Sequence, residues 1–144
     1  MDKAPKRRKV TLELNTEDVM RVIGSAFAEK DRSKFMEFPS AVYSMHPFDT
    51  VTVDGRQVGL STWIGYSFNE GKMLTLAILD PDVAEPGTEV VLVWGEPNGG
   101  TSKPTVEPHV QTELRAIVSP IPYAETARKV YADSSWRTSQ PENA

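Results

Sequence analysis

The sequence contains no cysteine. That removes disulfides, thiolate metal sites and cysteine nucleophiles together, and it suits a reducing, cytoplasmic compartment. Histidine is scarce as well: His46 and His109 are the only two, far apart and without neighbours at metal-ligand spacing. Ordinary polar roles are expected of both, and no metal. No apolar run approaches the roughly 18 residues that a membrane-spanning helix needs. The basic N-terminus is not followed by the apolar core of a secretory signal. No serine stands in a Gly-x-Ser-x-Gly elbow. Gly95, Gly99 and Gly100 lie close together but lack both the Walker lysine and the dinucleotide-binding spacing, so a loop between strands is their expected role. The acids Glu70, Asp80, Asp82 and Glu85 fall in turns, where carboxylates are simply solvated. No catalytic residue is expected in this chain.

What is present fits one globular domain. The chain has 144 residues, 39 % of them apolar and 25 % charged, an ordinary balance with enough apolar material for a single core. The net charge of −4 is unevenly spread, because residues 1–9 carry +4 and leave −8 on the remainder. An acidic body argues against nucleic acid as a partner, since phosphate neutralisation supplies most of such affinity. The block Pro5-Lys6-Arg7-Arg8-Lys9-Val10 looks like a nuclear-import cluster, but such matches are common and a solvated basic linker or chain start is the expected reading.

Residues 10–14 alternate apolar and polar side chains, as a half-buried strand should. Asn15-Thr16 then offers an N-cap, Glu17 and Asp18 place acid in the first turn, and Val19, Val22, Ile23, Ala26 and Phe27 recur at helical spacing. A single amphipathic helix over 16–30 is predicted, its apolar stripe sealing one end or face of a sheet. Residues 33–47 show no sustained period. Beyond them Val51-Thr52-Val53, the turn dipeptide Asp54-Gly55 and residues 56–63 read as a hairpin. Residues 65–68 continue the strand pattern, a turn falls at 69–71, and residues 72–79 are apolar at nearly every position, which predicts burial on both faces. Residues 89–95 read as another strand, 96–108 as an exposed loop, and 109–118 as the last long strand, with Val110, Thr112, Leu114, Ala116 and Val118 on one side. A short helix near 124–131 and a disordered tail over 134–144 complete the chain. The predicted fold is therefore mainly β: a small antiparallel, Greek-key-like β-barrel with one N-terminal amphipathic helix and a short C-terminal helix. The domain map is a basic flexible arm over 1–9, the barrel over 10–123, and a helix with flexible tail over 124–144.

The aromatic residues supply the candidate site. Trp63 and Tyr66 flank Gly65 just beyond the hairpin, and Trp94 precedes Gly95-Glu96. An aromatic ring beside glycine offers a flat surface on which a pterin or aryl ring can stack. Plugging the barrel or packing against a neighbouring domain is the simpler alternative, because large aromatics are usually buried.

These residues also carry a resemblance. Asp54-Gly55-Arg56-Gln57-Val58-Gly59-Leu60-Ser61-Thr62, then Ala77-Ile78-Leu79-Asp80-Pro81, then Pro86-Gly87-Thr88-Glu89-Val90 resemble the C-terminal barrel of the glycine-cleavage T-protein (aminomethyltransferase) family. Tyr43-Ser44-Met45-His46-Pro47-Phe48-Asp49, Val93-Trp94-Gly95-Glu96-Pro97-Asn98-Gly99-Gly100 and Lys103-Pro104-Thr105-Val106-Glu107 are similar to one branch, the tetrahydrofolate-dependent vanillate and syringate O-demethylases. The likeness runs over residues 10–123. It implies a barrel that closes a folate and substrate cavity built chiefly by preceding domains, with no catalytic motif of the family inside these positions. Tetrahydrofolate is the implied cofactor, and Trp63 and Tyr66 are the implied folate- or substrate-facing residues. The implied partners are preceding folate-binding domains, on the same or a separate chain; a homo-oligomer and a stand-alone binding module without activity are the alternatives.

Overall fold

Alternating burial builds six strands. They are β1 (Arg8–Leu14), β2 (Asp49–Val53), β3 (Arg56–Ser67), β4 (Lys72–Leu79), β5 (Glu89–Trp94) and β6 (Thr112–Ser119). The computed structural model describes residues 6–36, 48–100 and 106–132. Expectations for 37–47, 101–105 and 133–144, including His46 and the disordered tail, lie outside the described residues.

The strands close into an antiparallel barrel in the order β1-β4-β3-β2-β5-β6, with β6 returning to β1. Full closure leaves no exposed sheet edge along the shared length of the strands. Leu12, Val51, Ala77, Leu79, Leu92, Leu114 and Val118 fill the interior. The predicted mainly-β barrel is thus what forms, with an N-terminal helix and a short C-terminal π-helix (Ala127–Tyr131). Among the described residues no helix is long and apolar enough to cross a membrane.

The Asp54-Gly55 turn forms as expected, both residues taking the positive φ that a tight hairpin requires. Other boundaries move. β1 starts at Arg8, two residues earlier than the alternation suggests. At this end of the barrel Arg7 reaches Asp80, Arg8 pairs with Glu85, and Arg56 reaches both Asp80 and Asp82. Exposed pairs of this kind contribute little individually. The short 3-10 helix Pro81–Val83 brings Val83 and Ala84 beneath them, closing the end.

The opposite end is closed by α1 (Thr16–Ser25). Asn15 caps it, its side-chain oxygen accepting the Asp18 amide at 3.1 Å. Val19 and Val22 are buried in the core and Ile23 packs against it, so this part of the predicted stripe seals the barrel, whereas Ala26 and Phe27 lie beyond the helix and are exposed. The helix ends five residues earlier than its periodicity suggests. Ser25 turns its hydroxyl onto the Val22 carbonyl and accepts the Ser33 amide, and Ala26, Phe27 and Ala28 continue only as i−3 turns. Asp31 then takes a positive φ, which reverses the chain towards β6.

Two burial predictions are corrected. β4 buries one face only: Met73, Thr75, Ala77 and Leu79 point inward, while Leu74 and Leu76 are half-buried and Ile78 is exposed. The stretch after β5 is not simply an exposed loop, because Glu96, Gly100 and Val106 are buried against His109 and its neighbours. β6 is also shorter than predicted. Val110 stands outside it, exposed and joined only by an isolated parallel bridge to Ser33.

Candidate functional site

The densest group of chemically capable side chains lies at the α1 end of the barrel, and it is sealed. After α1 the chain runs extended through Ser33, whose hydroxyl bonds Thr112 at 2.6 Å, while the Arg32 carbonyl accepts the Val110 amide at 2.7 Å. This path buries Lys34 completely. Its ammonium donates to both oxygens of Asp49, at 3.1 and 3.2 Å, and lies 3.3 Å from Glu96 Oε1. It also sits 4.5 Å above the Trp94 ring, and Trp94 Nε1 donates back to the Lys34 carbonyl at 2.8 Å.

Asp49 opens β2, Trp94 ends β5, and Glu96 follows two residues later. The barrel order therefore brings these groups together. Burial pushes the Asp49 carboxyl above its ordinary value, and the Lys34 charge and the Gly95 amide pull against that shift.

His109 completes the cluster. Its Nε2 accepts the Glu96 amide at 2.9 Å and its Nδ1 lies 2.8 Å from the Glu107 carbonyl, which places the proton on Nδ1. With Nε2 occupied as an acceptor, the 3.3 Å approach of Glu96 Oε2 is a contact rather than an ion pair. Gly95 and Gly99 lie against the ring and backbone of His109, where a Cβ would stand 2.9 and 2.5 Å from its atoms. This close approach explains why the segment is glycine-rich.

The sequence reading gave His109 an ordinary polar role but missed Lys34, Asp49 and Glu96. The cluster is not a metal centre: an ammonium already occupies the space between the two carboxylates. Among the described residues no group of three or more His, Asp or Glu side chains is placed to hold a metal ion. Its chemistry is that of a closed ionic lock joining three segments, with no reactive atom open to a substrate.

Trp63 and Tyr66, the sequence candidates, lie on β3. A bulge between Ser61 and Trp63 resets the register, with Trp63 opposite Leu76 and Tyr66 opposite Met73. The Thr75 hydroxyl donates to the Trp63 carbonyl and bonds the Ser61 hydroxyl, both at 2.5 Å, which pins the bulge from inside. The pleat then sends the two rings to opposite faces. Trp63 points outward, 53 % exposed, whereas Tyr66 packs against the core. One open aromatic face is available, not a pair of rings.

Surface grooves among the described residues include two of similar size. One, of about 680 Å³, runs along Glu13, Thr52, Lys72, Glu89 and Arg115 beside the start of α1. The other, of about 690 Å³ and more apolar, lies between the end of α1 and residues 32–36, with Phe27, Phe35 and Met36 in its walls. Neither is lined by Trp63 or Tyr66.

At the first groove Glu13 accepts from Tyr123 at 2.8 Å and pairs with Lys72 at 2.8 Å. Lys72 holds the Glu13 carboxyl below its usual value. Burial, with help from Glu13, pushes the Tyr123 hydroxyl up to about 12. A raised folded-state value stabilises the fold below the unfolded tyrosine value, near 10, and that contribution disappears as the pH climbs to about 12. Tyr123→Phe should therefore flatten the fall in stability between those two pH values. Urea unfolding of both proteins across the range would show it.

The strands define a closed six-stranded barrel, and sequence comparison identifies relatives. No protein-family model matches the chain. It is 65 % identical over 138 residues to a syringate O-demethylase of Sphingobium sp. (strain NBRC 103272 / SYK-6), covering 96 % of this chain but 30 % of that protein. It is 31 % identical over 124 residues to a sesamin methylene transferase of Sinomonas sp. (strain No.22), covering 79 % of this chain and 25 % of that protein. The chain is thus a homologue of part of syringate O-demethylase, and the resemblance to O-demethylases carried by its motifs is borne out. It spans less than a third of the length of the curated relatives it matches.

Proposed function

We propose that this chain is the C-terminal barrel of a tetrahydrofolate-dependent aryl O-demethylase, a transferase of the wider glycine-cleavage T-protein kind working in the cytoplasm. Its role is to close the folate and substrate cavity rather than to supply reacting groups. The observation that carries this reading is the 65 % identity along 96 % of the chain to less than a third of a syringate O-demethylase. The sealed state of the Lys34 cluster supports the second half of it, because no titratable group there can reach a bound substrate.

The described residues do not by themselves fit a folate. Trp63 offers one stacking surface, Tyr66 packs against the core, and neither of the two grooves described above is lined by them. The main cofactor contacts therefore belong to preceding folate-binding domains, on the same polypeptide or a partner. A closing domain contributes by excluding water from the reacting site, which strengthens the electrostatics there and protects the one-carbon unit.

The test is a complementation assay with tetrahydrofolate and syringate. The chain alone should produce no demethylated product, and adding the remaining segment of the related O-demethylase should restore turnover. Product from the chain alone would overturn the reading, as would failure of the two parts to yield an active enzyme.

A further inference from the structure

The outer surface of the β3–β4 pair is apolar over three successive cross-strand positions. Leu60 faces Ile78, Trp63 faces Leu76, and Gly65 faces Leu74. Trp63 is 53 % and Ile78 41 % exposed, and Leu60, Leu74 and Leu76 are half-buried. An antiparallel sheet facing water normally alternates apolar inside with polar outside. Here the inward positions of β4 include Thr75, and the outward ones beyond Lys72 are Leu74, Leu76 and Ile78.

A contiguous apolar patch on a sheet face, with a tryptophan on it, has the composition of an interface centre rather than of free surface. The patch is also rigid. Both strands are held within the barrel, and the bulge that aims Trp63 outward is fixed by Thr75 and Ser61.

We propose that this β3–β4 outer face, centred on Trp63 and Ile78, is the surface on which the barrel docks against the remainder of the O-demethylase. The inference rests on the function proposed above. The occupant follows from lengths: in the 65 % identical relative the matching segment is 30 % of the chain, so most of that protein lies outside the barrel. Trp63 is then an anchor residue in an apolar contact. The sealed α1 end and the ion-paired opposite end frame this face without contributing to it.

The experiment mixes this chain with the remaining segment of the related syringate O-demethylase and reads binding separately from turnover. Hydrogen–deuterium exchange of the mixture should show slowed exchange in β3 and β4 around residues 60–65 and 74–78. The double variant Trp63→Ser/Ile78→Lys should bind about a hundredfold more weakly, the size expected when two anchor residues are lost, with its circular dichroism spectrum and melting midpoint retained. Phe27→Ser, exposed just beyond the end of α1, should bind as the parent does.

If the two parts bind and turn over but protection falls elsewhere, or Phe27→Ser rather than the double variant weakens binding, this docking face is overturned while the proposed function stands. If the chain instead forms a homodimer that the double variant abolishes, the occupant is a second copy and the proposal fails. If the parts do not associate at all, both readings fall.

Discussion

Replacing Lys34 by methionine should lower the stability of the barrel by about 3–5 kcal/mol, the usual result of removing one partner from a buried ionic group. Methionine approximately fills the same volume, so the loss comes from charge rather than from a cavity. Asp49 and Glu96 would be left close together in the interior without the ammonium between them. The Asp49 carboxyl is already pushed up by burial, and Lys34 is the principal influence opposing that shift.

With the cation gone, Asp49 should rise further. A carboxyl raised in the folded state adds stability below its unfolded value and loses it as the pH climbs through the folded value. The deficit of Lys34→Met relative to the parent should therefore be largest at neutral pH and shrink as the pH falls towards about 4. Urea unfolding followed by tryptophan fluorescence would measure it, since Trp94 lies directly beneath the ammonium. A deficit independent of pH would mean that packing of the lysine stem, not its charge, holds the segment in place.

Gly59→Ala should be almost as damaging, at about 3 kcal/mol, the upper end of the range for overpacked interiors. A Cβ at this position would stand 2.2 Å from the Ile78 carbonyl oxygen and 2.6 Å from Leu79 Cδ2. The leucine side chain can rotate, but the carbonyl belongs to β4, which is bonded to β1 on one side and β3 on the other. Movement of one strand would strain both neighbours.

Gly55→Ala is the useful comparison. Gly55 takes φ +74 in the hairpin turn with nothing close to its missing side chain, so only the backbone penalty of about 1 kcal/mol applies. Equal losses for the two variants, measured by chemical denaturation, would show that β4 yields more readily than a closed barrel should.

Much of the fold could be read from local pattern because each strand has a buried face with a period of two, and because Asp54-Gly55 and Asn15 announce a turn and a cap. The early end of α1 could not be read. Ala26 and Phe27 keep the helical spacing, and what stops the helix is Ser25 bonding Val22 and Ser33, a contact made with chain still to come.

Asp18 was legible as acid at a helix start but not as the anchor it becomes. It accepts the Arg115 amide at 2.8 Å and Arg115 Nε at 2.9 Å, and these bonds hold it below its ordinary value. The Lys34 cluster was hidden for the same reason. Lysine, aspartate, glutamate and histidine distant in sequence meet only once the barrel closes. The signal that was available is Trp94-Gly95-Glu96 followed by His109, an acid and a histidine held near a strand end by glycine. The outward direction of Trp63 depended on a bulge that no propensity marks.

The closure of the barrel also has a kinetic side. β1 is the first strand in the chain, yet one of its edges is completed only by β6, with Thr11 opposite Ser119. A nascent chain leaving the ribosome therefore exposes β1 and α1 long before their partner is made. Native pairing of this kind has high contact order, which slows folding and lengthens the time for which apolar strands stand open. Substitutions in β6 should consequently affect the yield of soluble protein during synthesis more than their effect on the finished barrel would suggest.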